Sequence, residues 1–259
     1  MAQDVWNPAQ YDRFRDERSQ PFFDVLGFVR PKPGMRVVDL GCGTGELTRA
    51  LHHRLEARET LGIDSSEAML AKSQAYAGGG LGFERRDIMA FIDDPRGPWD
   101  LIFSNAALHW VPLHEHVLRR LTLGLAPGGQ VAIQVPANHD HPSQVVAGEV
   151  AAEAPFREAL AGYLRRTPVL LPEEYAVILD KLGYREQHVR LEVYGHRLES
   201  REEVVEWMKG TLLTDYDRRL TSEQFAEFLG RYRERLLPRL PDTRPHFFPY
   251  KRILFWAKR

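Results

Sequence analysis

Cysteine, long apolar runs and net charge are all scarce in this sequence, and each shortage excludes a class of protein. The 259 residues contain a single cysteine, Cys42, which excludes an internal disulfide and a cysteine-cluster metal site. No apolar run approaches the roughly 18 residues of a membrane span, and acids interrupt the apolar core that an N-terminal signal peptide needs. The net charge of −1 lacks the basic excess of a nucleic-acid-binding protein. We expect a cytoplasmic globular protein without nucleic-acid, membrane or metal partners.

Strand-like and helix-like patterns alternate through the first half of the chain. Five short strand-like runs lie at 35–40, 60–64, 81–87, 99–105 and 130–136. Three segments with helical spacing lie between them, at 45–55, 66–75 and 114–124. The last of these helices should stop at LAPGG, where proline and glycine break it before the next strand. Such alternation predicts an α/β fold with a mostly parallel sheet and helices on both faces.

The second half of the chain has a different pattern, with longer helical stretches and two late strands. Helical patterns follow Pro136 and return around 171–183, 200–213 and 221–237. The two late strands are predicted at 184–198 and 248–258. We interpret residues 1–259 as a single domain, because neither helical insertion is long enough to stand alone. Its predicted parts are an N-terminal lid at about 1–30, a core at about 31–136, and cap-forming helical insertions at about 137–166 and 201–240.

The stretch VVDLGCGTG at 37–45 predicts a nucleotide-binding loop after the first strand. Gly41, Gly43 and Gly45 allow the backbone to approach a ligand in conformations that side chains forbid. Their G-x-G-x-G spacing differs from the G-x-G-x-x-G fingerprint of dinucleotide-binding loops, and no Gly-Lys-Ser/Thr follows as in a P-loop. Asp39, just before the glycines, is a candidate partner for a ligand ammonium group. The loop therefore favours a nucleoside with an amino-acid tail over a pyrophosphate.

Two further acids stand where the next strands are predicted to end. Asp64 ends the second strand, where its carboxylate can accept hydrogen bonds from both ribose hydroxyls. Asp87 ends the predicted third strand, where it can accept from an adenine amino group while Ile88 packs on the ring. Alternatively, Asp64 caps a helix and Asp87 occupies a turn. Together with DLGCGTG, the ordered acids favour S-adenosylmethionine (SAM) over a nicotinamide dinucleotide.

The motifs DLGCGTG, GID, RRDI and SNAALHW resemble the class I SAM-dependent methyltransferase family. The resemblance implies a Rossmann-like sheet of seven strands with one antiparallel strand in its last hairpin, and S-adenosylhomocysteine as the cofactor product. It also implies that Cys42 is a small loop residue rather than a nucleophile. The cofactor-binding residues expected from the loop, the acids and the resemblance are Asp39, Gly41, Cys42, Gly43, Gly45, Asp64, Ser65, Met69, Asp87, Ile88, Asn105 and Ala106.

An anionic methyl acceptor fits the residues outside this core. A carboxylate has a pKa of about 4, so at neutral pH it is already a nucleophile and needs no general base. Arginine forks bind carboxylates at two points. The cationic candidates are Arg18, Lys209 and Arg252. The candidate walls and hydroxyl donors are Tyr11, Trp110, Trp207 and Tyr250. His109 is an alternative general base for a less acidic acceptor, and Arg252 alternatively faces solvent.

The likeness extends from WNPxxY near the N-terminus to the closing Y-K-R-x-L-F-W-A-K-R, including both helical insertions. Over this span the chain resembles the family of methyltransferases that esterify one carboxylate of trans-aconitate. The resemblance implies a small tricarboxylic acid as the acceptor. The same SAM-binding core would also suit a methyltransferase for another small acid, or one for a carrier-bound malonyl group. In the second case RYRER at 231–235 is the candidate face for docking the carrier protein. A SAM-binding module without catalysis is a third interpretation.

Overall fold

The computed structural model describes residues 15–259, with side chains from residue 19 onward. The strands of this part are β1 Arg36–Leu40, β2 Glu59–Asp64, β3 Leu81–Arg85, β4 Trp99–Asn105, β5 Leu125–Pro136, β6 Glu186–Leu198 and β7 His246–Lys258. Its α-helices are α1 Arg15–Leu26, α2 Glu46–Arg54, α3 Glu67–Ser73, α4 Ile88–Asp93, α5 His114–Leu123, α6 Pro142–Ala151, α7 Phe156–Ala159, α8 Pro172–Lys181, α9 Glu202–Lys209, α10 Thr214–Asp217 and α11 Ser222–Leu236. None of the helices in this described part is long and apolar enough to cross a membrane.

The strands form one sheet in the order β3-β2-β1-β4-β5-β7-β6. Strands β1 to β5 pair in parallel, whereas β7 lies antiparallel between β5 and β6. The strand order reverses beside β1, so the ends of β1 and β4 open a crevice of the kind in which ligands bind. The predicted fold class, a mostly parallel seven-stranded sheet with one antiparallel strand, is confirmed.

The apolar strands form the core of the molecule, and both faces of the sheet are covered. Val38 and Leu40 of β1 belong to a buried cluster on one face, and Val37 packs with Phe22 of α1 on the other. Burial on both faces explains why β1 is almost continuously apolar rather than alternating. Its one acid, Asp39, is the exception, and it lies at the end that leads into the glycine loop.

The two predicted helical insertions pack against each other beyond the carboxyl end of the sheet. Val146 of α6, Trp207 of α9 and Phe228 of α11 belong to one buried cluster, which Phe248 and Tyr250 of β7 join. The predicted Ser/Thr-x-x-Gln start of α11 forms a capping box, in which Thr221 and Gln224 satisfy each other's backbone N–H groups. These helices therefore form a layer with its own apolar core above β7, although the predicted division of the chain stays a prediction.

Most predicted bounds differ from the structure by a few residues, and two of the differences have a clear physical reason. Strand β3 ends at Arg85, and Asp87 is the N-cap of the short helix α4, where its Oδ1 accepts from the Met89 N–H at 2.7 Å. The segment LAPGG does not precede β5 but forms its first residues, with a register shift against β4 between Trp99 and Leu101. This irregular register accommodates the proline and glycines, which the pattern alone assigns to a break.

Candidate active site

The glycine loop turns sharply at the end of β1. Gly41, Gly43 and Gly45 all have φ between 56° and 78°, the left-handed region that favours glycine. A Cβ on Gly41 would lie 2.2 Å from the Ala107 Cβ, so this glycine is also required by the close approach of the chain after β4. A Cβ on Gly43 would meet nothing within 4 Å. The loop is therefore held tightly at its base and faces open space at Gly43.

Asp64 fixes the outer part of this loop. Its Oδ2 accepts a hydrogen bond from the Gly43 N–H at 2.9 Å, and its Oδ1 accepts from the Ser66 N–H at 2.8 Å. A carboxylate oxygen can accept more than one hydrogen bond, so holding the loop is compatible with binding a ligand hydroxyl. Asp64 thus connects β2 to the loop after β1 while lining the space above it.

A cleft of about 1200 Å³, which we call the glycine-loop cleft, lies above this loop. It contains most of the residues predicted for the cofactor, namely Gly41, Gly43, Asp64, Ser65, Met69, Asp87, Ile88, Asn105 and Ala106. Asp39, Cys42 and Gly45 are not among its lining residues. Burial raises the pKa of the Cys42 thiol, and the carboxylates of Asp39 and Asp64 raise it further. A thiol in this state is a poor nucleophile, which suits a small loop residue.

Asp39 lies beneath the loop rather than in the wall of the cleft. It is 3% exposed, and its Oδ2 accepts a hydrogen bond from the Thr48 Oγ1 at 2.6 Å. Burial raises the pKa of this carboxyl to about 7, against the lowering effect of the Thr48 hydrogen bond. A carboxyl that resists ionisation at neutral pH is one that a nearby ligand cation would stabilise in the charged form.

Because this pKa is raised, ionisation of Asp39 destabilises the folded protein, and the size of the effect depends on pH. The carboxyl releases its proton near the ordinary aspartate pKa of 3.8 in the unfolded chain and near 7 in the folded chain, so stability falls as pH rises across this interval. Asp39→Asn removes the ionisable group and keeps an acceptor for Thr48. We expect the variant to be more stable than the wild type at pH 8, by up to about 4 kcal/mol. The advantage should shrink towards pH 5, which urea unfolding at both pH values measures; an advantage that grows on acidification would contradict the assignment.

A second cavity, of about 850 Å³, lies beside the glycine-loop cleft under the helical layer. We call it the arginine cavity, after Arg165 and Arg252 in its wall. It contains the predicted acceptor residues His109, Trp110, Trp207, Tyr250 and Arg252. Its other lining side chains include Asn138, Gln144, Thr167 and Thr211, and none of its described lining residues is acidic.

The two cavities share three residues at the end of β4 and just after it. Asn105, Ala106 and Trp110 line both spaces. Ala106 has a φ of 53°, a conformation that costs a non-glycine residue on the order of 1 kcal/mol. The turn that it makes brings Asn105 and Trp110 into the partition, where the Asn105 Oδ1 is buried without a hydrogen-bond partner among the described residues. A ligand in one cavity would therefore lie next to a ligand in the other cavity, at these three shared residues.

Positive charge converges on His109 at the wall of the arginine cavity. Burial lowers the pKa of His109 well below its usual value, and the charges of Arg165 and Arg252 lower it further. The imidazole is therefore neutral at physiological pH, and its buried Nδ1 has no hydrogen-bond partner among the described residues. The two arginines supply the fixed positive charge, while His109 offers a neutral polar group. Such a wall is suited to an anion.

A family profile described as a methyltransferase domain matches residues 11–189 of the sequence. The trans-aconitate 2-methyltransferase of Deinococcus radiodurans is 43% identical over 98% of this chain and 98% of its own length. The enzyme of the same name from Streptomyces avermitilis is 40% identical over 98% of this chain and 97% of its own length. The chain belongs to this family of methyltransferases. The family that the motifs resemble is thereby confirmed.

Solved structures agree with the fold of the methyltransferase at low sequence identity. The YcgJ protein of Bacillus subtilis superposes with a TM-score of 0.59 at 14% identity, covering 93% of this chain and 98% of that one. Phosphoethanolamine N-methyltransferase 2 of Haemonchus contortus gives a TM-score of 0.54 at 18% identity, covering 93% of this chain and 52% of that one. Both likenesses concern the fold alone.

Not every predicted acceptor residue of the methyltransferase lies in the arginine cavity. Tyr11 and the side chain of Arg18 lie outside the described residues. Lys209 is not a lining residue, because its Nζ points along α9 to pair with Glu206 at 3.0 Å. Conversely, sequence reasoning missed Arg165, which stands in an irregular segment before α8. The double arginine of LRRTP was its only local signal, and that signal does not say which arginine faces inward.

Proposed function

We propose that this methyltransferase uses SAM to methylate a carboxylate of trans-aconitate, giving a methyl ester and S-adenosylhomocysteine. The observation that supports it best is the pairing of cavities: the acid-lined glycine-loop cleft and the arginine cavity, whose described lining contains no acid, share the partition at Asn105, Ala106 and Trp110. The substrate follows from relatives at 38–43% identity over 98% of the chain, which carry the name trans-aconitate 2-methyltransferase.

The residues of the glycine-loop cleft fit SAM. The open space at Gly43 suits the methionine part beside the loop, and the carboxylate of Asp64 suits the two ribose hydroxyls. Asp87 and Ile88 lie at the start of α4, where a carboxylate and an apolar side chain suit the amino group and ring of adenine. When bound, SAM supplies an electrophilic methyl group on its sulfonium. That group would then lie at Asn105, Ala106 and Trp110, the residues shared by both cavities, where it can face the arginine cavity.

The chain's own contribution in the arginine cavity is to hold and orient a polyanion. Arg252 is 3% exposed and lies 4.8 Å from the Tyr250 ring, so a carboxylate bound there is shielded from water. A carboxylate at neutral pH is already ionised, so His109 has no proton to remove and would serve as a polar contact. Holding the acceptor oxygen in line with the methyl group can supply roughly 7–11 kcal/mol of the barrier reduction.

The carrier-bound malonyl alternative has less support from the structure. Its predicted docking face, RYRER at 231–235, contains Arg231 and Arg235, which pair with Glu227 at 2.7 Å and with Glu153 at 2.6 Å. Charges that are matched in this way add little to an electrostatic docking surface. The free acid is therefore the acceptor that we propose.

A methyl-transfer assay with separate acids tests the proposal. The purified protein is incubated with SAM and with trans-aconitate, cis-aconitate, citrate, isocitrate or a malonyl carrier protein, and S-adenosylhomocysteine is quantified. We expect the highest kcat/KM with trans-aconitate. Turnover of another acid without turnover of trans-aconitate would refute the substrate and spare the enzyme class. Tight SAM binding without turnover of any acceptor would favour a non-catalytic module.

A further inference from the structure

We propose that Arg165 binds one carboxylate of the acceptor and that Asp215 positions Arg165 while also holding Arg218 at the glycine-loop cleft. The inference rests on the proposed function, because it assigns residues to the acceptor of that reaction. It goes further in naming an arginine outside every sequence motif and a carboxylate that lines neither cavity. Asp215 is thus a positioning residue, whereas Arg165 would touch the substrate.

Asp215 is a buried carboxylate surrounded by arginines. It is 4% exposed and lies in the short helix α10. Its Oδ2 accepts a hydrogen bond from the Arg165 Nη1 at 2.6 Å, and its Oδ1 accepts from Arg218. Arg219 donates to the main-chain oxygen of Asp215 at 3.0 Å. One negative charge therefore holds three positive ones, which leaves excess positive charge next to the arginine cavity.

The geometry of Arg165 suits a carboxylate ligand. Its guanidinium stacks on the Trp110 ring, 4.0 Å from the ring centroid, and its backbone N–H donates to the Tyr216 hydroxyl at 3.4 Å. Stacking and the Asp215 hydrogen bond fix the plane of the fork, so little side-chain entropy remains to be lost on binding. A guanidinium has five N–H donors, and among the described residues Asp215 accepts from Nη1 alone. The remaining donors can therefore serve a ligand in the cavity.

The same acid connects the two cavities. Arg165 lines the arginine cavity, whereas Arg218 and Thr214 line the glycine-loop cleft. Trp110, on which Arg165 stacks, lines both. A displacement of Asp215 would therefore loosen a residue in each cavity. A purely structural role for Asp215 would not require one of its arginine partners to line each of the two cavities.

The test compares four acids that differ by one carboxylate. They are trans-aconitate and the three dicarboxylates that each lack one of its carboxylates, namely mesaconate, cis-glutaconate and itaconate. Arg165→Gln should raise the KM for trans-aconitate about 30-fold or more, as expected for a buried charge-assisted contact, while the Kd for SAM stays within about twofold. With the dicarboxylate that lacks the carboxylate bound by Arg165, the increase in KM caused by Arg165→Gln should nearly vanish. Arg166→Gln is the matched control, because the neighbouring arginine is exposed and lines neither cavity.

Asp215→Asn tests the positioning role. The variant should raise the KM for trans-aconitate about tenfold and weaken SAM several-fold, and Arg165→Lys should recover only part of the Arg165→Gln loss. In the Arg165→Gln background, Asp215→Asn should add almost nothing to the acceptor KM, because it acts there through Arg165. Titration calorimetry of each acid, with S-adenosylhomocysteine present, gives the same comparison without turnover.

Three results would overturn the inference. An unchanged acceptor KM in Arg165→Gln, with an active wild type, would remove Arg165 from the substrate. An equal penalty on all four acids would mean a general disturbance rather than a carboxylate contact. An additive effect of Asp215→Asn in the double variant would refute positioning through Arg165. Absence of binding and turnover for all four acids in the wild type would instead refute the proposed function itself, and this inference with it.

Discussion

Replacing Gly41 by alanine should abolish methyl transfer and lower the free energy of unfolding by several kcal/mol. The added Cβ would lie 2.2 Å from the Ala107 Cβ, far inside van der Waals contact, so one of the two backbones must move. Its φ of 78° adds a strain of roughly 1–2 kcal/mol for any L side chain. Because Ala107 follows directly on the partition residues, the displacement would disturb both ligand cavities at once. Urea unfolding and SAM calorimetry measure the two effects.

Gly79→Ala is the matched control for Gly41→Ala. Gly79 has a φ of 59°, and a Cβ there would meet nothing within 4 Å. The control therefore carries the backbone strain without the steric overlap, and we expect it to lose only about 1–2 kcal/mol of stability and to bind SAM normally. If Gly41→Ala unfolded like Gly79→Ala and still bound SAM, the close approach of Gly41 and Ala107 would not be needed for the site.

Arg252→Ala should raise the KM for trans-aconitate by roughly 30-fold to 4000-fold and leave the Kd for SAM almost unchanged. A buried charged contact is worth about 2–5 kcal/mol when one partner is removed, and each 1.4 kcal/mol is a factor of ten. Arg252 fits such a contact, because it is 3% exposed and lines the arginine cavity but not the glycine-loop cleft. Steady-state kinetics with each substrate varied in turn separates the two constants.

Lys251→Ala is the control on the same strand. Lys251 lines neither cavity, and its ammonium pairs with Asp140 at the surface. Its loss removes a positive charge one residue away and should change the acceptor KM less than about threefold. Arg252→Lys should fall between wild type and alanine, because a lysine keeps the charge without the fork. A loss of SAM affinity in Arg252→Ala would move Arg252 out of the acceptor site.

The parts of this protein that the sequence predicted well depend on local patterns. Strand β1 and the glycine loop follow from an apolar run and three glycines within nine residues, and the cap of α11 follows from Thr221 and Gln224. Asp87 lines the glycine-loop cleft, but the pattern extended β3 to it, because a six-residue helix such as α4 gives almost no periodic signal.

The arginine cavity, by contrast, depends on contacts between distant parts of the chain. Arg165 reaches its place through Asp215, which is 50 residues away, so no local spacing marks it. Lys209 shows the converse: it lies in the last turn of a helix, pairs with Glu206 three residues earlier, and is not among the lining residues of the arginine cavity. Charge type suggested an anionic acceptor, but only the fold selects which cations face the cavity.

The most direct test of the central claim is to follow the methyl carbon itself. The wild-type protein is incubated with trans-aconitate and SAM carrying ¹³C in its methyl group, and the product is examined by NMR. The proposed function predicts that the label appears as a single ester methyl on trans-aconitate, in equal amount with S-adenosylhomocysteine. Label that remains on SAM, or that appears in a methyl group on nitrogen or carbon, would contradict a carboxyl O-methyltransferase acting on this acid.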